Sequence, residues 1–380
     1  MKTRVCIVQP LIPRYRTSVF ETLAARPELD LEIWADLSGG FRSLAGITSN
    51  PNLKMRHAAY SERGGIVWQP NILDSIRAGF DVVFLSWNVR SPHLHLALSK
   101  KKLSPIVLWG HGFGTHQARL GDWLRIKNAN AAEACMFYGP TGRNKFINLG
   151  FDPKKLFTAP NALDQTVIQE SRDRFLTSTN TSNTLDLEGF EKSPIMLHMS
   201  RLEAEKMPEL AIEALQLLLI DIPNLKLVFI GDGSSRPALE KKTIQLGLQH
   251  AVRFLGSIHE EDRIAPWAIS ASLLIHPGAL GLSIFHAFGY GLPVVTSNRM
   301  SIQMPEVETL EPGINGLVYE HGNVQDLAAI CKSILINPSL RKHLADGARE
   351  TVLRPGGRNI EGMVDGIMKA IRAVSGRTPS

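Results

Sequence analysis

The residues that offer chemistry fall into three short stretches. Met199-Ser200-Arg201-Leu202-Glu203-Ala204-Glu205-Lys206 places two cations in one loop, ahead of Pro208 and Glu209, which suit the first turn of a helix. The second stretch, His276 through Val295, reads as a strand end, a loop holding Gly278 and Gly281, a short helix, and a new strand at Pro293-Val294-Val295. Ser283 is expected to cap that helix, Ile284, Ala287 and Phe288 to form its buried face, and Gly289 and Gly291 to stop it. Free N–H groups of Leu280 to Leu282 at such a helix start suit phosphate, and Arg201 with Lys206 would balance a diphosphate. The third stretch, Trp109-Gly110-His111-Gly112-Phe113-Gly114, sets a histidine at the end of an apolar run. Each has a plainer reading. These are an ordinary strand–helix turn, two solvent-facing cations beside Glu203 and Glu205, and a histidine buried by Trp109 with backbone partners.

The elements around these stretches explain where they fall. Apolar runs at 4–9, 29–35, 81–86, 105–109, 134–138 and 156–159 read as strands, with helices between them, the first capped by a Ser18–Glu21 box. A second series begins at Pro194, with strands at 195–199, 225–230 and 252–255 before the glycine loop and 317–319 after it. This alternation predicts an α/β fold of parallel sheets covered on both faces. The polar stretch 177–184 reads as a surface loop or connection between domains. The expected organisation is a first domain at 1–165, a second at 166–358, and a final helical segment at 359–380 that crosses back onto the first. Ligands of such folds bind at the carboxyl ends of the strands. Arg14, His111, Arg201, Lys206, the Gly231-Asp232-Gly233 turn and the Gly278–Gly281 loop all fall at predicted strand ends.

Composition narrows the classes. At 380 residues, 44% hydrophobic and 21% charged, the chain suits two globular domains. Cys6, Cys135 and Cys331 are far apart and odd in number, which fits neither a metal pattern nor a disulfide framework and points to a reducing compartment. No apolar run reaches membrane-spanning length, and the run after Arg4 reads as a strand rather than a leader. The formal charge of +6 is uneven: residues 1–165 hold 21 Lys+Arg against 12 Asp+Glu, and the remainder 21 against 24. A basic first half suggests an anionic partner, or an ordinary solvated surface. Its cations are not interleaved with exposed aromatics and no recognition motif is present, so nucleic acid is less expected. No acidic pair of metal-binding type stands at a strand end; Asp186 and Glu188 adjoin the polar stretch.

Met199 to Lys206 resembles the phosphate loop of the family-4 retaining glycosyltransferases of GT-B fold. Phe229-Ile230-Gly231-Asp232-Gly233, Phe254-Leu255-Gly256-Ser257-Ile258, Gly150 through Asp164, and Asn315-Gly316-Leu317-Val318 are similar to further segments of that family, in order, across most of 140–340. The resemblance implies two doubly wound Rossmann-like domains with a cleft between them. It also implies transfer of a sugar from a nucleoside-diphosphate sugar, without a metal, to a hydroxyl of a glycan or polyprenyl-linked acceptor. Implied donor contacts are Arg201, Lys206, Gly231, Asp232, Ser257, Ile258, Gly278, Ala279, Leu280, Gly281, Leu282 and His286. Catalysis would rest on His111, Arg201 and Lys206, and acceptor contacts on Arg14, Arg16 and Asn88. The family's donor loop carries two glutamates with seven residues between them, and this chain has Gly278 and His286 there. One branch of the family resembles the chain in that departure, so the donor's identity is what the departure opens. Glu306 and Glu308, one strand later, are alternative carboxylates or ordinary surface residues. Surface polysaccharide assembly is the setting most often implied, in the cytoplasm or peripherally on the inner face of the plasma membrane. Arg14, Arg16 and the segment around Trp123, Arg125 and Lys127 would then meet anionic lipid. An epimerase or phosphorylase of the same fold, and a non-catalytic nucleotide-sugar-binding partner, are the other classes.

Overall fold

The computed structural model describes residues 2–38, 53–99, 104–113, 119–177, 190 and 193–376. The polar stretch 178–184, Asp186 and Glu188 lie outside them. Contacts divide the chain into two units, Met1–Leu163 with Asn359–Ser380, and Asp164–Arg358.

In unit 1 the strands are β1 (Thr3–Val8), β2 (Leu29–Ala35), β3 (Lys54–His57), β4 (Ser61–Arg63), β5 (Ile66–Trp68), β6 (Val82–Ser86), β7 (Ile106–Gly110), β8 (Ala134–Phe137) and β9 (Leu156–Thr158). Seven of them form one parallel sheet in the order β3-β2-β1-β6-β7-β8-β9, and β4 and β5 make an antiparallel hairpin. The near-continuous apolar runs follow from burial on both faces. Val5, Ile7, Phe84 and Val107 enter one cluster, while their neighbours Cys6, Val8, Leu85 and Leu108 enter another, as strand alternation requires. The chain runs outward from β1 to β3 and returns on the other side of β1 at β6, so the strand order reverses between β1 and β6. A crevice at the carboxyl ends of two such strands is where doubly wound sheets take ligands.

The helix Ile360–Ser375 belongs to unit 1. Asn359 caps it by accepting from the Gly362 N–H, and Met363, Val364, Ile367 and Ile371 are buried in the same cluster as Val5 and Phe84. At the other end of the unit the Ser18–Glu21 box does not form. A 3₁₀ turn, Arg14–Arg16, runs directly into the helix Thr17–Ala24, so Ser18 lies inside the helix and the cap residue is Arg16.

Unit 2 repeats the plan with β10 (Ile195–Met199), β11 (Lys226–Ile230), β12 (Val252–Phe254), β13 (Leu273–His276), β14 (Val294–Ser297) and β15 (Gly316–Tyr319). All pair in parallel in the order β12-β11-β10-β13-β14-β15. Its reversal lies between β10 and β13, the strands that lead into the Ser200–Lys206 and Pro277–Leu282 loops. Ile367→Ala should cost about 2–5 kcal/mol of unfolding free energy, the loss of a fully buried isoleucine. Denaturant unfolding that moved by less than about 1 kcal/mol would contradict a core role for the C-terminal helix.

Candidate functional site

Two loops meet at the reversal in unit 2. After β10 the chain makes a 3₁₀ turn, Ala204–Lys206, and leaves it through Met207 in the left-handed region at φ 49°. After β13 the glycine loop lies against that turn. The Gly278 N–H donates to Lys206 O at 2.9 Å and the Ala279 N–H to Glu205 O at 2.8 Å. In return Lys206 Nζ donates to Ala279 O at 2.7 Å. A Cβ on residue 278 would stand 2.3 Å from Glu205 O and 2.7 Å from Lys206 Cα. No side chain fits there, and the space expected for a glutamate is filled by the backbone of the neighbouring loop. From the other side Gln303, itself buried, accepts the Leu280 N–H at 2.7 Å and donates to Ser297 O at 3.1 Å. The start of the first loop rests on Gly231, at φ 136°, where a Cβ would lie 1.9 Å from Ser200 O. The Gly231 N–H also donates to Gly256 O, which sets the half-exposed Ile258 and the exposed Ser257 beside the Asp232 turn.

These contacts change which groups can hold an anion. The Leu280 N–H is taken by Gln303, so it does not belong to the expected trio. Leu282 rather than Ser283 is the cap residue of the helix Ser283–Tyr290, and no side chain caps it. The N–H groups of Gly281, Leu282 and Ser283 make no hydrogen bond among the described residues, and these three positions are partly exposed whereas Gly278 to Leu280 are buried. The donor set is thus moved one residue along the chain. Gly289 does not stop the helix; it lies inside it, against Gln165 and Ile168, and Gly291 at φ 79° ends it.

The two cations are not equivalent. Lys206 is partly buried and seated on the loop; burial first, and then the Arg201 charge, pull its pKa below the usual lysine range, while Glu205 raises it. Buried Glu306, on the turn Pro305–Thr309, acts against that fall. Arg201 projects into solvent, its side chain 74% exposed and 3.7 Å from Glu205. Asp232 is committed to its own turn, accepting from the Gly233 N–H at 2.8 Å and from Arg236 at 3.0 Å, and these bonds hold its carboxyl below the ordinary range. His286 meets Glu261 at 2.5 Å, and Glu261 also accepts from Tyr290 at 2.8 Å. A carboxylate from the helix Glu261–Ser270 therefore stands beside the position that the resemblance expects to be glutamate.

Unit 1 places its candidates differently. His111 follows β7 with its ring 4.7 Å from that of Tyr138. The residue is exposed, yet the protein around the imidazole, followed by the Arg16 charge, lowers its pKa and favours the neutral form. Its packing partner is Tyr138, not Trp109. Arg16 is 5% exposed and donates to Gln9 at 2.9 Å and Tyr138 at 2.8 Å, with its guanidinium over the Trp109 ring. A cation so enclosed meets neither lipid nor solvent; it is a structural cation beneath His111. Arg14 is exposed, and half-buried Asn88 shapes the loop after β6 by accepting the Arg90 N–H.

Residues 185–351 match the model of the family Glycosyl transferases group 1. The matched span contains β10 to β15 and both loops of the site. The lipopolysaccharide core biosynthesis glycosyltransferase LpsE of Rhizobium meliloti (strain 1021) is 28% identical over 164 residues, 42% of this chain and 45% of that protein. A D-inositol 3-phosphate glycosyltransferase of Geodermatophilus obscurus is 27% identical over 240 residues, 60% of this chain and 49% of that protein. The chain thus spans less than half the length of these curated relatives. In fold it is similar to Anabaena Alr3699/HepE, crystallised with UDP, at a TM-score of 0.71 and 16% identity over 98% of this chain and 100% of that one. The architecture is that of GT-B glycosyltransferases, two Rossmann-like α/β halves.

Beneath the matched loops lies a feature that the strand pattern concealed. His198 of β10 and His276 of β13 are fully buried neighbours with stacked rings 5.2 Å apart. His198 bonds to Ile275 O and Ser200 Oγ, and burial pushes its pKa down to about 4. Burial, then His198 and Lys206, also pushes His276 well below the ordinary range. Both are neutral, so Lys206 is not opposed by further cations under the loop. Protons taken up by these histidines in the unfolded chain, and refused in the folded one, draw the equilibrium toward unfolding. Stability should therefore fall as pH drops from about 6.5 toward about 4, each histidine adding up to about 1.4 kcal/mol per pH unit. Denaturant midpoints across that range measure it; a His276→Gln variant should flatten the slope, and equal slopes would refute a neutral pair.

Proposed function

We propose that the chain is a retaining glycosyltransferase that uses a nucleoside-diphosphate sugar and no metal, acting on a glycan or polyprenyl-linked hydroxyl in surface polysaccharide assembly. The observation that carries this reading is the set of N–H groups at Gly281, Leu282 and Ser283, unbonded among the described residues, on the loop that holds the Lys206 ammonium. Backbone donors at a helix start, with a partly buried cation, stabilise charge that develops on a departing diphosphate. Arg201 would move in from solvent to complete that balance. In front-face transfer the acceptor oxygen bonds to the anomeric carbon on the side from which the phosphate oxygen leaves. The hydroxyl proton passes to that leaving oxygen, so no protein base is required. A neutral His111 serves as hydrogen-bond donor and acceptor to sugar hydroxyls. That the Anabaena neighbour was crystallised with UDP and with UDP-glucose supports a uridine nucleotide as the first donor to try.

A peripheral contact with anionic membrane is supported by the helix Arg119–Ala131, where Leu120 and Trp123 are exposed and Lys127 lies over the Trp123 ring. Arg125 is paired with Asp122, and Arg16 has no part. Among the described residues no helix is long and apolar enough to cross a membrane.

Lys206→Ala should lower turnover or slow donor hydrolysis of a UDP-sugar by about 2–4 kcal/mol in barrier, and Arg201→Ala should lower it by less. Steady-state kinetics measures both, and full turnover in both variants would remove the site assignment.

A further inference from the structure

We propose that the open cavity beside the β4–β5 hairpin binds pyranose rings of a glycan, with Trp68 as the stacking platform. The cavity measures about 770 Å³, within the span of about 300–1,000 Å³ usual for small-ligand sites. Tyr60, Ser61, Arg63, Ile66, Trp68 and His93 line it. Trp68 is 46% exposed, an unusual setting for a side chain that proteins mostly bury. Its ring does not hang free: His93 meets it edge-on at 5.7 Å and 67°.

The hairpin that carries this ring is anchored to two neighbouring loops. Val67 is buried and its N–H donates to Arg90 O at 3.1 Å. Arg90 also forms an ion pair with Glu62, and buried Gln69 donates to Gln9 O at 3.0 Å. Those bonds seat the hairpin on the loops that follow β6 and β1, at the carboxyl ends of the two strands where the order of the unit 1 sheet reverses. Asn88 lies on the same loop as Arg90. The cavity therefore occupies the ligand-binding edge of its own sheet.

A pyranose ring has flat C–H faces that pack on an aromatic ring and a rim of hydroxyls that need hydrogen-bond partners. Trp68 supplies the first, and Tyr60, Ser61 and His93 supply the second. The Arg63 side chain forms no hydrogen bond or ion pair among the described residues, so its guanidinium is available to hydroxyls or to a sugar carboxylate. A bilayer surface would be met by a convex apolar ridge with several cations. Here the surface is concave and one cation lines it. The identification of this glycan as the acceptor rests on the proposed transfer reaction; carbohydrate binding at the cavity does not.

The test is calorimetric titration of maltotriose, chitotriose and a galacturonic acid trimer into the full chain, into Trp68→Ala and into Trp68→Phe. UDP is titrated into each as a control. The expected result is binding of at least one trisaccharide, weakened about tenfold by Trp68→Ala and largely kept by Trp68→Phe, with UDP binding equal in all three. Failure of the intact chain to bind UDP counts against the transferase reading alone, because the trisaccharide arms still decide the cavity. Three results would overturn the proposal: no trisaccharide bound by the intact chain, equal binding by Trp68→Ala, or binding to phosphatidylglycerol vesicles that Trp68→Ala abolishes while trisaccharides do not compete.

Discussion

The site depends on a backbone contact between two loops, the Gly278 and Ala279 amides on the carbonyls of Lys206 and Glu205. Parallel pairing of β10 with β13 brings the loops to one place, but a side chain at position 278 would hold them apart. With glycine there, the turn closes, Lys206 reaches Ala279 O, and Gln303 fastens the loop from behind. The loop is thereby held from both sides, and the amides at 281, 282 and 283 make no hydrogen bond among the described residues. The glycine that stands where the resemblance expects a glutamate is thus the residue that lets the two loops close on each other.

Charge around that cradle is arranged by burial more than by ion pairs. The stacked histidines below it are kept neutral because a charged imidazole in that dry setting costs more than neutrality. Asp232 is balanced by Arg236, and Glu261 by hydrogen bonds to His286 and Tyr290. Near the loop stand a partly desolvated ammonium, which Glu205 and buried Glu306 help to keep charged, and a set of backbone dipoles. Unit 1 follows a related logic. Its buried Arg16 is satisfied by Gln9, Tyr138 and the Trp109 face, and at His111 burial first, then the Arg16 charge, favours the neutral imidazole.

Much of this was legible in the residues. Buried parallel strands show as apolar runs, and glycines and cations cluster at their ends, so the two α/β halves and the loop pair could be read directly. The finer assignments failed where partners come from distant parts of the chain. Nothing near Leu280 signals that Gln303 will occupy its amide, so the residues alone count Leu280 among the free N–H groups and leave out Ser283. Glu261 reaches His286 from another helix, and Tyr138 reaches His111 from just beyond the end of β8. His198 and His276 look like polar interruptions of strands, and only their pairing across β10 and β13 shows a shared, dry environment. Arg16 sits in a basic loop and reads as a surface cation until its neighbours are known. Periodicity reports which face is buried; it does not report which side chain from elsewhere will fill it.

The central claim is that Gly281, Leu282 and Ser283 hold the diphosphate while Leu280 stays with Gln303. Amide NMR of the chain labelled selectively at glycine, leucine and serine, titrated with UDP, tests it most directly. Large shifts at 281, 282 and 283, with the Leu280 amide little changed and no such shifts on adding uridine alone, are the predicted result. Saturable UDP binding that leaves those three amides unmoved would contradict it.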